Sequence, residues 1–340
     1  MIRNLFTFLI TFVSINLQAQ LSDFKNINFK EADSIANSYK GESLISLPIL
    51  SYNLTNSLST DVEKFRAIYI WVCSNIKNDY KAFLKNDNER RKYRNDSIKL
   101  EKWNEEFSKK VFAKLIKEQK TVCTGYAYLI KELSNYANIN CEMINGYGRT
   151  AYESKEEYYI PNHSWNAVQL NNKWYLCDAT WSSGVFDLNE YFFVYNYNNG
   201  YFLTEPEMFA KNHYPLEDKW LLIEEEYKLD TFFEAPFVYG EAFRYGIKTV
   251  NPKEMNSEVI QNETITILLK ELIEIDNNKY NIEIISGNYT KSILPIINRS
   301  DEGFIELKFS IPHKGLYDTH LKLGEDYLST YLIKVKKEKK

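Results

Sequence analysis

Hydrophobic spacing along the chain switches between a helical period and an alternating one, and the switches delimit its elements. Phe65, Ile68, Val72 and Ile76 recur at three- and four-residue steps behind a Thr60/Glu63 capping box, which predicts a helix over 61–77 with one buried stripe. Tyr126, Leu129, Ile130 and Leu133 repeat the pattern in TVCTGYAYLIKEL (121–133), with Thr121 as its expected N-cap. The period then shortens. HSWNAVQL (163–170) and KWYLCDATW (173–181) are rich in β-branched and aromatic residues around Asn171-Asn172, the signature of a hairpin. Beyond Tyr227–Phe243 come short β-rich runs (TITILLKELIEI, KYNIEIIS, GFIELKFSIP, LSTYLIKVKK) broken by turn signals, as in an all-β sandwich.

Two stretches break these patterns. Residues 21–58 form a loosely patterned helical lead-in. Residues 81–120, through NDNERRKYRNDSIKLEKWNEEFSKK, are charge-dense with few apolar anchors. They read as a solvated helical insertion or as an arm contacting substrate, because the chain runs from them straight to Cys123.

At the other extreme, MIRNLFTFLITFVSINLQAQ carries Arg3 and then an apolar run ending near Leu17, with the small residue Ala19 before Gln20. The run is shorter than the ~20 residues a membrane span needs, so residues 1–19 are expected to be a signal peptide and the protein to be exported, periplasmic or extracellular. The remaining length suits two domains, expected at 20–235 and 240–340.

Composition narrows the chemistry. A net charge of −4 argues against nucleic acid as a partner. No C-x-x-C, HExxH or Asp-rich calcium loop occurs, so neither metal nor cofactor is expected. Of four cysteines, Cys73, Cys141 and Cys177 lie in apolar surroundings and read as buried small hydrophobes. Cys123 differs: the first turn of a helix, with its free N–H groups and dipole, favours a thiolate. A two-residue Asn171-Asn172 loop pairs Leu170 with Lys173 and sets Trp165 opposite Asp178. His163 is then one diagonal step from Asp178 on the same face, about 7–8 Å between backbones. Cysteine, histidine and an orienting aspartate are the parts of a nucleophilic acyl transfer. His213, in a loop among aromatics and prolines, reads as structural.

The blocks VCTGYA, HSWNAV and KWYLCDATWSSG together resemble those of the transglutaminase-like (papain-related) superfamily, most nearly its kyphoscoliosis-peptidase type. The similarity extends to residues 60–80 and 202–223 and covers roughly 45–225; the chain departs from the family in having Thr121 where a glycine usually precedes the cysteine by two. The resemblance implies an α+β core in which a helix-borne Cys packs on an antiparallel sheet, followed by an immunoglobulin-like sandwich. It implies Cys123 as nucleophile, His163 as general base and acid, and Asp178 as its orienter, acting on amide or peptide bonds of a protein or peptide substrate by hydrolysis or by cross-linking. The oxyanion would rest on the Cys123 N–H and a further donor, for which Gln119, just upstream, is a candidate. The rival expectation is a catalytically silent binding or scaffold protein of the same fold.

Overall fold

The computed structural model describes residues 21–150, 160–187, 192–272 and 280–337. The leader expected at 1–19 and most of the polar loop before His163 (151–159) lie outside the described residues.

The N-terminal half opens with α1 (Lys30–Ser38), α2 (Leu47–Thr55) and α3 (Asp61–Asn75). The Thr60/Glu63 capping box is in place, with both reciprocal bonds made, so α3 starts where its sequence says. It is buried nearly all round rather than along one stripe: Val62, Phe65, Ile68, Tyr69, Trp71 and Val72 all lie inside.

The charge-dense stretch is a helical hairpin, α4 (Tyr80–Lys92) and α5 (Ser97–Glu118). Its base is closed by two short parallel strands, β1 (Lys77–Asn78) and β2 (Lys120–Thr121), pairing Lys77 with Lys120 and Asn78 with Thr121. Asp79 braces the same corner: it caps α4 through Ala82 N–H and meets Lys114 at 2.5 Å.

From β2 the chain enters α6 (Cys123–Tyr136). Val122, not Thr121, occupies the N-cap position, and no side chain caps it. Thr121 packs its side chain over Gly125 instead, where an added Cβ would come within 2.0 Å of Thr121 Oγ1. Gly125 is therefore closely approached by a threonine side chain, which leaves no room for a Cβ.

Helix α6 lies on an antiparallel sheet built from β3 (Cys141–Gly148), β4 (His163–Leu170) and β5 (Lys173–Cys177). The expected hairpin forms with its expected register: Leu170 pairs with Lys173 and Asn166 with Cys177. Asn171 and Asn172 both take positive φ (50° and 62°), as a type I′ turn demands. Pairing stops at Cys177. The next residue, Asp178, caps the short helix α7 (Ala179–Ser183). Strands β6 (Gly184–Asp187) and β7 (Phe192–Tyr195) form a separate ribbon, and β8 (His213–Pro215) completes the main sheet in the order β5-β4-β3-β8.

The sheet divides two cores. Cys141, Val168, Leu170, Tyr175 and Cys177 face α3 and α6. Ile144, Trp165, Ala167 and Leu176 face the other way, into one cluster with Tyr201 and Phe209 and with the interior of the C-terminal unit. That unit is a β-sandwich of a four-stranded and a six-stranded sheet, mixed rather than wholly antiparallel because residues 256–260 run parallel to 332–336. The chain is thus α+β, as expected. The boundary expected at 235–240 falls in a segment that serves both halves: Arg149 donates to the Phe232 and Ala235 carbonyls, and Phe243 stacks on Tyr201 at 4.5 Å. Among the described residues no helix is long and apolar enough to cross a membrane.

A shared core predicts shared unfolding. Phe243→Ala should cost about 3–5 kcal/mol and shift a single calorimetric transition of the whole chain. Two transitions, of which only the later-sequence one moves, would show the cores to be separate.

Candidate active site

Cys123 is the first residue of α6, half-buried at the floor of a cleft of about 420 Å³ that also exposes His163. His163 opens β4, and its ring lies against Gly148, where a Cβ would come within 2.8 Å of His163 Cβ and Cγ. Gly148 is there for the imidazole. Trp181 stacks on the other side at 4.7 Å between ring centres, so the ring is held as a plate between backbone and indole.

The hairpin register then brings Asp178 to it. His163 Nε2 is 2.7 Å from Asp178 Oδ2. The His163 side chain is also hydrogen-bonded to the Cys123 thiol. The Ser164 backbone N–H also points at the sulfur. Burial alone would push the Cys123 thiol up; the hydrogen bond and charge of His163, with the Ser164 N–H, outweigh it and lower its pKa. Burial likewise opposes the imidazolium, but the Asp178 carboxylate and the Cys123 thiolate lift His163 to about 10. Both shifts favour a thiolate–imidazolium pair over the neutral pair.

Asp178 is fully buried, and burial would raise its pKa, yet His163 and His213 hold it well below the usual carboxylate range. Oδ1 accepts from the N–H groups of Thr180 and Trp181 at 2.8 and 3.2 Å, so the residue both caps α7 and orients His163.

The sequence reading missed His213. It lies on β8, and its Nε2 sits 3.1 Å from the same Asp178 Oδ2. The ring packs against Phe209 at 3.9 Å and Trp181 at 4.4 Å. Burial lowers its pKa to about 4, against the pull of Asp178, so it is neutral. Its other nitrogen is 2.7 Å from the Asn212 side-chain oxygen. A neutral ring has one N–H for two oxygens; turning the Asn212 amide gives Nδ1 a donor and leaves Nε2–H for Asp178. No local motif signals this, since only the β3·β8 pairing of Gly148 with His213 carries the residue there. His163, Asp178 and His213 form the one cluster among the described residues whose ligand atoms, all within 4.8 Å, could also hold a metal ion. The hydrogen bonds just described already bring them that close.

The remaining expectations divide. Cys177 faces the α6 side of the sheet, away from the cleft, and with Cys73 and Cys141 is a buried free thiol whose pKa burial raises. Gln119 does not face the sulfur. It ends α5 in a left-handed conformation and donates its side chain to the Glu42 carbonyl at 2.5 Å, which removes it as an oxyanion donor.

A helix-borne cysteine set against an antiparallel sheet that carries its histidine and aspartate is the core arrangement of a cysteine-centred transglutaminase fold. Residues 49–179 match the family model of the transglutaminase-like superfamily and form a transglutaminase-like domain. It is similar to kyphoscoliosis peptidase of Mus musculus, at 29% identity over 63% of this chain and 30% of that protein. The Homo sapiens protein of the same name is 29% identical over 70% of this chain and 33% of its own length. Hillarin of Drosophila melanogaster is 28% identical over 65% and 26% respectively. The chain spans about a third or less of the length of these relatives.

Two substitutions separate orienting from bracing. Asp178→Asn keeps the α7 cap but loses the anion, so it should cut turnover or Cys123 alkylation by orders of magnitude with a modest loss of melting temperature. His213→Phe removes one donor from a buried carboxylate and should destabilise by about 1–3 kcal/mol. Normal rates for Asp178→Asn, measured beside its melting temperature, would reduce Asp178 to a brace.

Proposed function

We propose that this protein is an exported cysteine-dependent acyl-transfer enzyme that cleaves or exchanges amide bonds of peptides or proteins. The observation that carries the reading is that the His163 side chain is hydrogen-bonded both to the Cys123 thiol and to the Asp178 carboxylate. Each group then has a task. The Cys123 thiolate attacks the carbonyl carbon to give a tetrahedral intermediate. Its oxyanion is held at the start of α6, by the Cys123 N–H first, since the Gly125 N–H already donates to the Val122 carbonyl. His163 gives its proton to the departing amine, leaving a thioester. Neutral His163 then takes a proton from water, for hydrolysis, or from an incoming amine, for cross-linking. Asp178 keeps the ring oriented and stabilises the imidazolium. The peptidase names of the two mammalian relatives favour the hydrolytic branch.

The test compares the protein with Cys123→Ala on a peptide library, with and without an added primary amine. Cleavage or amine incorporation lost in the variant is expected. An unmodified library, together with a Cys123 no faster than free thiol toward iodoacetamide, would leave a silent scaffold. Cys177→Ala should alkylate and turn over like the parent.

The pH dependence follows from the signs. Cys123 is lowered, so alkylation should reach its plateau below the ordinary thiol range near 8.5. His163 is raised to about 10, so turnover should fall as pH rises through that value while alkylation persists. Coincident loss of both would contradict the ion pair. The stability His163 contributes is present below its unfolded value near 6.5 and is lost as pH climbs to about 10.

Export rests on the apolar leader ending near Ala19. Mass spectrometry of extracellular material should find an N-terminus near Gln20; an intact Met1 would refute export by cleavage.

A further inference from the structure

The hairpin α4–α5 forms one wall of the cleft over Cys123, through Phe83, Asn86 and Arg90 of α4 and Asn104, Phe107 and Ser108 of α5. The charge balance of that cleft is unlike that of the chain. The sequence holds 46 acidic residues and a net charge of −4. Among the described residues lining the cleft none is acidic, and Arg90 is the one permanently charged side chain.

Arg90 is also incompletely used. Its Nη1 donates to the Pro161 carbonyl at 2.7 Å, which pins the guanidinium at the cleft wall two residues from His163. Nε is buried without a hydrogen-bond partner, and the nearby Asp87 carboxylate is paired with Arg91 at 2.8 Å. The edge left over, Nε with Nη2, is the fork that meets a carboxylate through two parallel N–H···O bonds. Leaving a buried cationic donor unpaired is costly, and a carboxylate is the ligand that removes the cost.

The neighbouring amides lean the same way. Asn86 spends its oxygen on the Trp103 indole N–H at 3.0 Å, and Asn145 spends its oxygen on the Ser164 hydroxyl at 2.8 Å. Both keep an NH₂ donor in reserve. Burial lowers the Arg90 pKa, and the charges of Cys123 across the cleft and of Asp87 oppose that lowering.

We propose that Arg90 is an anion-recognising specificity residue: it binds a substrate carboxylate next to the reacting amide, so that the enzyme prefers acidic peptides or free C-terminal ends. The inference rests on Cys123 being the nucleophile of the reaction proposed above. The guanidinium does not touch the reacting atoms; it places the carbonyl over the sulfur.

Three chloroacetyl probes test it without knowledge of the natural substrate. Chloroacetyl-glutamine amide is neutral, chloroacetyl-glutamate α-amide carries a side-chain carboxylate, and chloroacetyl-glutamine carries a terminal one. In each the thiolate displaces chloride. The rate of Cys123 alkylation, located by mass spectrometry, is compared for the full chain, Arg90→Gln and Arg90→Lys.

One or both anionic probes should react about tenfold faster than the neutral one. Which of them does so tells an acidic side chain from a chain end. The preference should collapse to near unity in Arg90→Gln, survive in part in Arg90→Lys, and weaken with salt. Equal rates for charged and neutral probes in the parent, or a preference that persists in Arg90→Gln, would overturn the proposal. So would an equal slowing of all three probes in Arg90→Gln, which would assign the guanidinium to the thiolate instead. If the neutral probe reacts with Cys123 no faster than with a free thiol, the nucleophile reading itself has failed, which is a different result from losing the preference.

Discussion

A carboxylate with no access to solvent is the most expensive group in this molecule, and the site is built around keeping it charged. Asp178 has four hydrogen bonds, two from backbone N–H groups of its own helix turn and two from histidines. Each arrives by a different route: the β4–β5 register supplies His163, the α7 turn supplies the N–H groups, and β8 supplies His213. Removing one donor from a buried acceptor typically costs about 1–3 kcal/mol, so these routes are coupled through one side chain. The aromatic cage of Trp181, Phe209 and Trp165 around the histidines excludes water that would otherwise compete for the same atoms.

The same economy ties the two halves of the chain together. Tyr201 is stacked by Phe243 from the C-terminal unit, and its hydroxyl is hydrogen-bonded to the side chain of Asn212, the neighbour of His213. The sandwich therefore stands behind the aspartate, two contacts removed. A β-sandwich that only trailed the core would leave Trp165, Leu176 and Phe209 against solvent, whereas here they belong to its interior.

Much of this was legible in the residues. The hairpin register followed from two asparagines and a parity argument, and with it the meeting of His163 and Asp178 and the exile of Cys177 to the opposite face. The capping box fixed the start of α3. What could not be read is long-range. His213 reaches Asp178 only through a pairing of strands more than sixty residues apart in sequence, and a histidine among aromatics looks the same whether it packs or donates. Thr121 had the right chemistry for an N-cap, but β2 claims its backbone and Gly125 its side chain, so the cap falls to Val122. Gln119 is near Cys123 in sequence, yet a left-handed turn directs it elsewhere. The function of 81–120 stayed ambiguous because a charge-dense stretch is solvated on one side whatever its other side touches.

The two-residue pairing of β1 with β2 has a consequence for how such a protein can vary. The chain leaves the core at Lys77 and returns at Lys120, directly opposite, so everything between is a closed excursion. Closing a longer or shorter loop costs little more, because the entropy grows only with the logarithm of its length. The hairpin can therefore be exchanged, extended or trimmed as a cassette while the nucleophile's helix keeps its starting point. Diversification of what enters the cleft is separated, by one pair of hydrogen-bonded dipeptides, from preservation of what happens at the sulfur.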